Sequence, residues 1–205
     1  ERDLTLLENI KCRYHISQIS SEKSVEVIKQ RKEKIKFTCG VSINNLSLNE
    51  NDIGDFRTFL KLSPPLRTEE DRVSLVNALK DEIIDVIVSD HKPEDEESKR
   101  LTFAQAATGA SGIETLLSLS LELYHNGSVK LETIIKALTS NPAKILKINK
   151  GNLSIGADAD FSIVDINKPW IVKKEKLISK SKNTSIENKK LQGKVTSTFV
   201  RGKEL

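Results

Sequence analysis

The feature that most constrains this chain is the run Ile83-Ile84-Asp85-Val86-Ile87-Val88, which ends in Ser89-Asp90-His91. β-Branched residues pack well on a pleated surface, and a run that does not alternate with polar residues fits a strand buried on both faces. Such a strand belongs in a parallel sheet covered by helices, and the preceding sequence repeats the required alternation. Residues 12–19 read as a strand. Residues 21–32 read as a helix capped by Ser20 or Ser21, with Val25 and Ile28 on its apolar face. A second strand is expected over 35–41. A polar loop over 44–67 closes on Ser63-Pro64-Pro65, and a helix capped near Thr68 carries Val73, Leu75, Val76 and Leu79. Strand–helix–strand repeats of this kind predict an α/β fold.

Further along, helices are expected over 102–107, 112–125 and 130–147, with an internal boundary at Asn141-Pro142. After Lys150-Gly151 short alternating segments at 159–164, 170–172 and 195–200 suit a small all-β appendage. The domain boundary is therefore set near 147, giving 1–147 and 148–205. The chain opens partway through an amphipathic helix without an N-cap and contains no methionine. It reads as a piece of a longer polypeptide, and its open sheet edges predict that it does not fold stably by itself.

Composition narrows the function classes. The 33 basic and 29 acidic residues are interspersed apart from a lysine-rich stretch over 173–190, and the net charge is only +4, which favours a solvated surface over nucleic-acid binding. Cys12 and Cys39 have neither metal-site nor disulfide-framework spacing, which suits a reducing cytoplasm. No apolar run approaches the ~18 residues of a membrane span.

In α/β folds chemistry gathers at the carboxyl ends of the strands. Asp90 ends the most apolar strand, where a carboxylate must bind a cation, accept hydrogen bonds or take up a proton. The structural alternative is a turn or helix N-cap. His15 and Gln18 are three apart on a strand, so both face one site only if a bulge intervenes. Gln18, nearer the strand end, is expected to face the site, while His15 packs sideways. His125 falls at the end of a helix, where an imidazolium complements the dipole. Three histidines in all cannot make a zinc site of three or four imidazoles.

The ordered segments "YHISQIS", "FTCGVSINNLSL", "LSPPLRTEEDR", "IIDVIVSDHKPE", "TGASGIETLL", "LTSNPAKIL" and "GNLSIGADADFSIVD" resemble the C-terminal half of class I dihydroorotases, of the amidohydrolase superfamily. The resemblance runs along essentially the whole chain. It implies the C-terminal part of a (β/α)8 TIM-like barrel, holding the last three strands, with a small β-sandwich appendage. It implies reversible conversion of N-carbamoyl-aspartate to dihydroorotate in pyrimidine synthesis, with zinc polarising a bridging water and the amide carbonyl. By motif match Asp90 is the aspartate that binds metal and shuttles the proton.

The departures from that pattern are specific. Gln18 stands where the family keeps a metal-binding histidine, and its carbonyl oxygen is a poor zinc ligand. Ser63 stands at the family's substrate-binding asparagine, and Glu94 at the histidine that helps hold the substrate carboxylate. Gly40-Val41-Ser42-Ile43-Asn44-Asn45-Leu46 replaces the common Glu-Val-x-Pro-x-His-Leu. The family's His-x-His pair, its bridging lysine or aspartate and a mid-barrel histidine would all precede Glu1. The resemblance therefore implies a weakened hydrolase with one zinc ion rather than two, or a metal-free homologue serving as structural partner of aspartate carbamoyltransferase. The changes at Ser63 and Glu94 also leave room for a different cyclic-amide substrate. Implied partners are a small-molecule substrate, the missing N-terminal half and a second copy in a homodimer, with no nucleic acid and no membrane.

Overall fold

The computed structural model describes all 205 residues. The apolar run becomes β3 (Val86–Val88), the third strand of a parallel sheet whose order is β1 (His15–Ile19), β2 (Thr38–Ser42), β3. Gly40, Val41 and Ser42 pair with Val86, Ile87 and Val88. Helix α1 (Arg2–Leu7) precedes the sheet, and α2 (Glu22–Lys32) and α4 (Glu69–Lys80) make the crossovers between its strands. Their apolar stripes, Val25 and Ile28 on one and Leu75 and Leu79 on the other, are buried. Ser21 accepts the Ser24 N–H and Thr68 the Asp71 N–H, which satisfies donors that the first helical turn leaves free.

Several expected boundaries move. The first two strands begin at His15 and Thr38, three residues later than expected, because hydrogen-bonded pairing starts only where the chains run alongside. The segment 44–67 is no polar loop. It holds α3 (Ile43–Ser47) and 3-10 turns at Glu50–Ile53 and Thr58–Leu60, and it buries Leu46, Leu60 and Leu62. The Ser42 hydroxyl starts α3 by accepting the Asn44 N–H at 3.3 Å.

No helix forms over 102–107, where the chain makes turns. A short α5 (Glu96–Arg100) lies upstream, started by Asp95 accepting the Ser98 N–H. Its Lys99 is 2% exposed and donates to the Thr58 and Ala107 carbonyls at 3.0 and 2.7 Å. Helix α6 (Leu116–His125) starts four residues later than expected. The stretch 130–147 divides into α7 (Leu131–Leu138) and α8 (Ser140–Leu146) at Thr139, so Pro142 falls in the first turn of α8, where its missing N–H costs nothing.

The C-terminal strands are longer than expected. β4 (Phe161–Ile171) runs antiparallel to β5 (Lys190–Val200), and β6 (Lys203–Glu204) pairs with the end of β5. Pairing resumes at Pro169 after a register irregularity, which accommodates a residue without an N–H. Val172, Ile186 and Leu191 join the same apolar cluster as the parallel sheet, through α6. No helix is long and apolar enough to cross a membrane.

Candidate active site around Asp90

The backbone just past β3 turns sharply. Asp90 has φ of 49°, a left-handed conformation that aspartate tolerates better than most residues. The turn carries its side chain, 3% exposed, to the carboxyl end of the sheet. Gln18 Nε2 donates to Asp90 Oδ1 at 2.8 Å. Lys92 Nζ lies 3.2 Å from the same oxygen and donates to the Ser63 carbonyl at 2.8 Å.

Gln18 reaches Asp90 because β1 carries a bulge. Ile16 pairs with Cys39 and Ile19 with Val41, so β1 uses three residue steps where β2 uses two. His15 stays out of the cluster. Its Nδ1 lies 2.8 Å from Thr38 Oγ1, and burial lowers its pKa, which favours the neutral ring. His125 closes α6 as expected, with Nε2 3.0 Å from the Ile166 carbonyl.

The segment 109–112 explains the glycines of "TGASG". A Cβ at Gly109, whose φ is 146°, would lie 2.5 Å from the Lys92 carbonyl oxygen, and one at Gly112 would lie 2.5 Å from that of Ser89. Only glycine permits this approach. His91 Nδ1 accepts the N–H groups of Gly112 and Ile113 at 3.2 and 3.4 Å, which leaves the ring proton on Nε2. Lys92 N donates to the Ala110 carbonyl at 2.9 Å. The Asp90 loop is thus gripped on both sides by main chain.

The four residues singled out by sequence do not all converge. Gln18 and Asp90 touch, and Ser63 joins them through its carbonyl rather than its hydroxyl. Glu94 stands apart, lining a cavity of about 670 Å³ in which the carboxylates of Asp95, Glu96 and Glu175 alternate with Lys174, Lys180 and Lys182, so its charge is mixed rather than suited to an anion. Gln18, Ser20 and Arg67 line another opening of about 400 Å³, where Arg67 Nε donates to Ser20 Oγ at 2.8 Å.

Sequence reasoning missed Lys92, although it is the variable residue inside Asp-His-x-Pro and could have been weighed as a cation beside Asp90. Asn183 was missed too. It is 3% exposed, accepts the Glu94 N–H at 3.3 Å and donates to the Gly109 carbonyl at 3.2 Å, tying the far C-terminal segment to this loop. Nothing in a lysine-rich stretch marks one asparagine as buried.

The residues of this chain do not make a metal site by themselves. No group of three or more His, Cys, Asp or Glu side chains stands within ligand reach. Asp90 Oδ1 already has two partners, and Gln18 turns its nitrogen, which is no metal ligand, toward it. To offer Oε1 to a cation the amide would have to turn and give up that bond.

Comparison with known proteins fits this geometry. The chain matches the amidohydrolase family over residues 5–205. The chain belongs to the amidohydrolase family. It is 45% identical over 204 residues to a dihydroorotase of Ehrlichia canis, covering 98% of this chain and 46% of that protein. It thus spans about half the length of the curated relatives it matches. Its fold follows the L-hydantoinase (dihydropyrimidinase) of Arthrobacter aurescens with a TM-score of 0.94 at 28% identity, covering 99% of this chain and 47% of that one. The inactive dihydroorotase-like domain of a Chaetomium thermophilum CAD-like multifunctional protein matches with a TM-score of 0.73 at 22% identity, over 98% and 53% of the two chains. The parallel sheet is therefore an arc of the amidohydrolase α/β barrel, and the family is generally metal dependent.

Proposed function

We propose that the whole protein to which these residues belong is a dihydroorotase-type cyclic amidohydrolase of pyrimidine biosynthesis. The observation that carries this reading is the 45% identity to a dihydroorotase across nearly the entire chain, joined to a buried aspartate at the carboxyl end of β3. Asp90 is the proposed metal ligand and proton carrier, held by Gln18 at the degenerate ligand position. Ser63 and Glu94 form the proposed substrate shell, with 1–147 as barrel and 148–205 as sandwich domain. Zinc, one ion rather than two, is the proposed cofactor, and its other ligands would have to come from outside these 205 residues. A homodimer in the cytoplasm is the proposed setting.

A second reading has its own observation. Asp90 Oδ1 is satisfied by an amide and an ammonium, as suits a metal-free homologue acting as structural partner of aspartate carbamoyltransferase. The deciding experiment measures dihydroorotate hydrolysis and zinc content in the full-length protein and in Asp90→Ala. The first reading expects activity in the parent and a loss of at least about 100-fold in the variant, together with lower zinc content. A folded, inactive, zinc-free parent would establish the second.

A further inference from the structure

We infer that Lys92 is a built-in counter-cation that competes with a divalent metal ion for Asp90 and so weakens metal binding at this site. The inference rests on the reading of Asp90 as a ligand and adds the residue that sets its affinity.

Three observations carry it. The Lys92 ammonium sits 3.2 Å from Asp90 Oδ1, the oxygen that also accepts the Gln18 amide. A divalent ion approaching that oxygen must displace the ammonium or share a carboxylate with it, and two cations at contact distance repel even where, as here, one of them is half in water. Second, main chain fixes where the lysine springs from, and the Ser63 carbonyl gives its head group a resting place beside Asp90. The Lys92 N–H is tied to Ala110 O at 2.9 Å, its carbonyl packs against Gly109 where a Cβ would meet it at 2.5 Å, and its ammonium is anchored by the Ser63 carbonyl at 2.8 Å. Third, the partners differ in exposure: the Asp90 side chain is 3% exposed and that of Lys92 46%. The carboxylate is fixed, while the lysine has open solvent into which its head group can swing, so the ion pair works as a displaceable stopper.

The test titrates the full-length protein with zinc against a competing chelator at fixed pH, using the parent, Lys92→Ala, Lys92→Gln, Lys92→Arg and Asp90→Ala. Both neutral variants are expected to bind zinc about tenfold more tightly than the parent, a size between the water and intermediate-dielectric limits for removing a like charge at about 4 Å. Lys92→Arg, which keeps the charge, is expected to stay within about threefold of the parent. A purely structural lysine would give the opposite ranking, with both neutral variants binding more weakly. Equal affinity in the parent and both neutral variants, with Asp90→Ala weaker, would overturn the inference and leave Asp90 as a ligand. Unchanged affinity in Asp90→Ala would overturn both. Tighter binding in the neutral variants without any dihydroorotate hydrolysis would support Lys92 as the competitor and count against the dihydroorotase reading alone.

Discussion

In the parallel sheet the middle strand leaves Cys39 and Val41 with no exposed surface, whereas in the antiparallel ribbon Ile163 keeps 50% of its surface in water. Both regions are rich in β-branched residues, so residue type does not separate them. Connectivity does. Parallel strands need crossovers, and α2 and α4 supply them while covering a face. An antiparallel pair can close by itself and need find cover on only one side, here α6. Apolar side chains on the other side of the ribbon, such as Ile163 and Ile171, remain exposed.

The largest expected effect tests that contrast directly. Leu79→Ala, at a residue with no exposed surface in α4, is expected to destabilise the full-length protein by about 2–5 kcal/mol, since it removes buried methyl groups and leaves a cavity. Ile163→Ala is expected to change stability by no more than about 0.5 kcal/mol. Urea midpoints read both. A cost at Ile163 matching that at Leu79 would show that the open face of the ribbon is covered in the full-length protein, and the contrast would collapse.

Much of this division could be seen beforehand in the chain itself. The unbroken run at 83–88 announces a strand buried on two sides, and the alternation after Gly151 announces one that is not. Asp90 stands out because a carboxylate ending such a run needs a reason. Less visible was anything decided by contacts distant in sequence. The bulge that brings Gln18 onto Asp90, the buried short helix after β2 and the pairing of Asp90 with Lys92 depend on which segments meet, and local pattern carries no information about that. Over 102–107 the chain turns instead of forming the expected helix, and the Ala107 carbonyl is taken by the buried Lys99, a partner from outside that segment.

Lysines sharpen the comparison at intermediate magnitude. Beside the ribbon, Lys150 is neutralised in solvent by Asp158 and Asp160, whose hydrogen bonds raise its pKa. In the barrel region Lys99 has only two carbonyl acceptors, and burial lowers its pKa. Between that lowered value and the ordinary lysine value near 10.4, the unfolded chain binds the proton that the folded one has lost. Unfolding free energy therefore rises with pH through this window, by at most about 1.4 kcal/mol per pH unit, and the gain is lost as pH falls through the folded pKa. Lys99→Met is expected to abolish that slope, while Lys150→Met is expected to leave it in place. Chemical denaturation at a series of pH values below the ordinary lysine value reads the difference. A slope surviving in Lys99→Met would mean that another group produces it.

The smallest effect concerns the seam where the two regions meet. Trp170 of β4 donates its indole N–H to Ser118 Oγ on α6 at 3.1 Å and to the Gly193 carbonyl of β5 at 3.2 Å, and Ser118 Oγ donates to the same carbonyl at 2.6 Å. Ser118 is buried, so its hydroxyl has no water to turn to. Trp170→Phe keeps most of the apolar body but removes the donor, and is expected to cost about 1 kcal/mol. Ser118→Ala removes the shared hydroxyl at similar cost. Because the three groups form one network, the double variant is expected to cost less than the sum of the singles, with a coupling of at least about 0.5 kcal/mol. Additivity would mean that ribbon and barrel are fastened by apolar contact alone. Coupling would mean that a polar clasp fixes the orientation of the ribbon on α6, which apolar contact, being non-directional, cannot do.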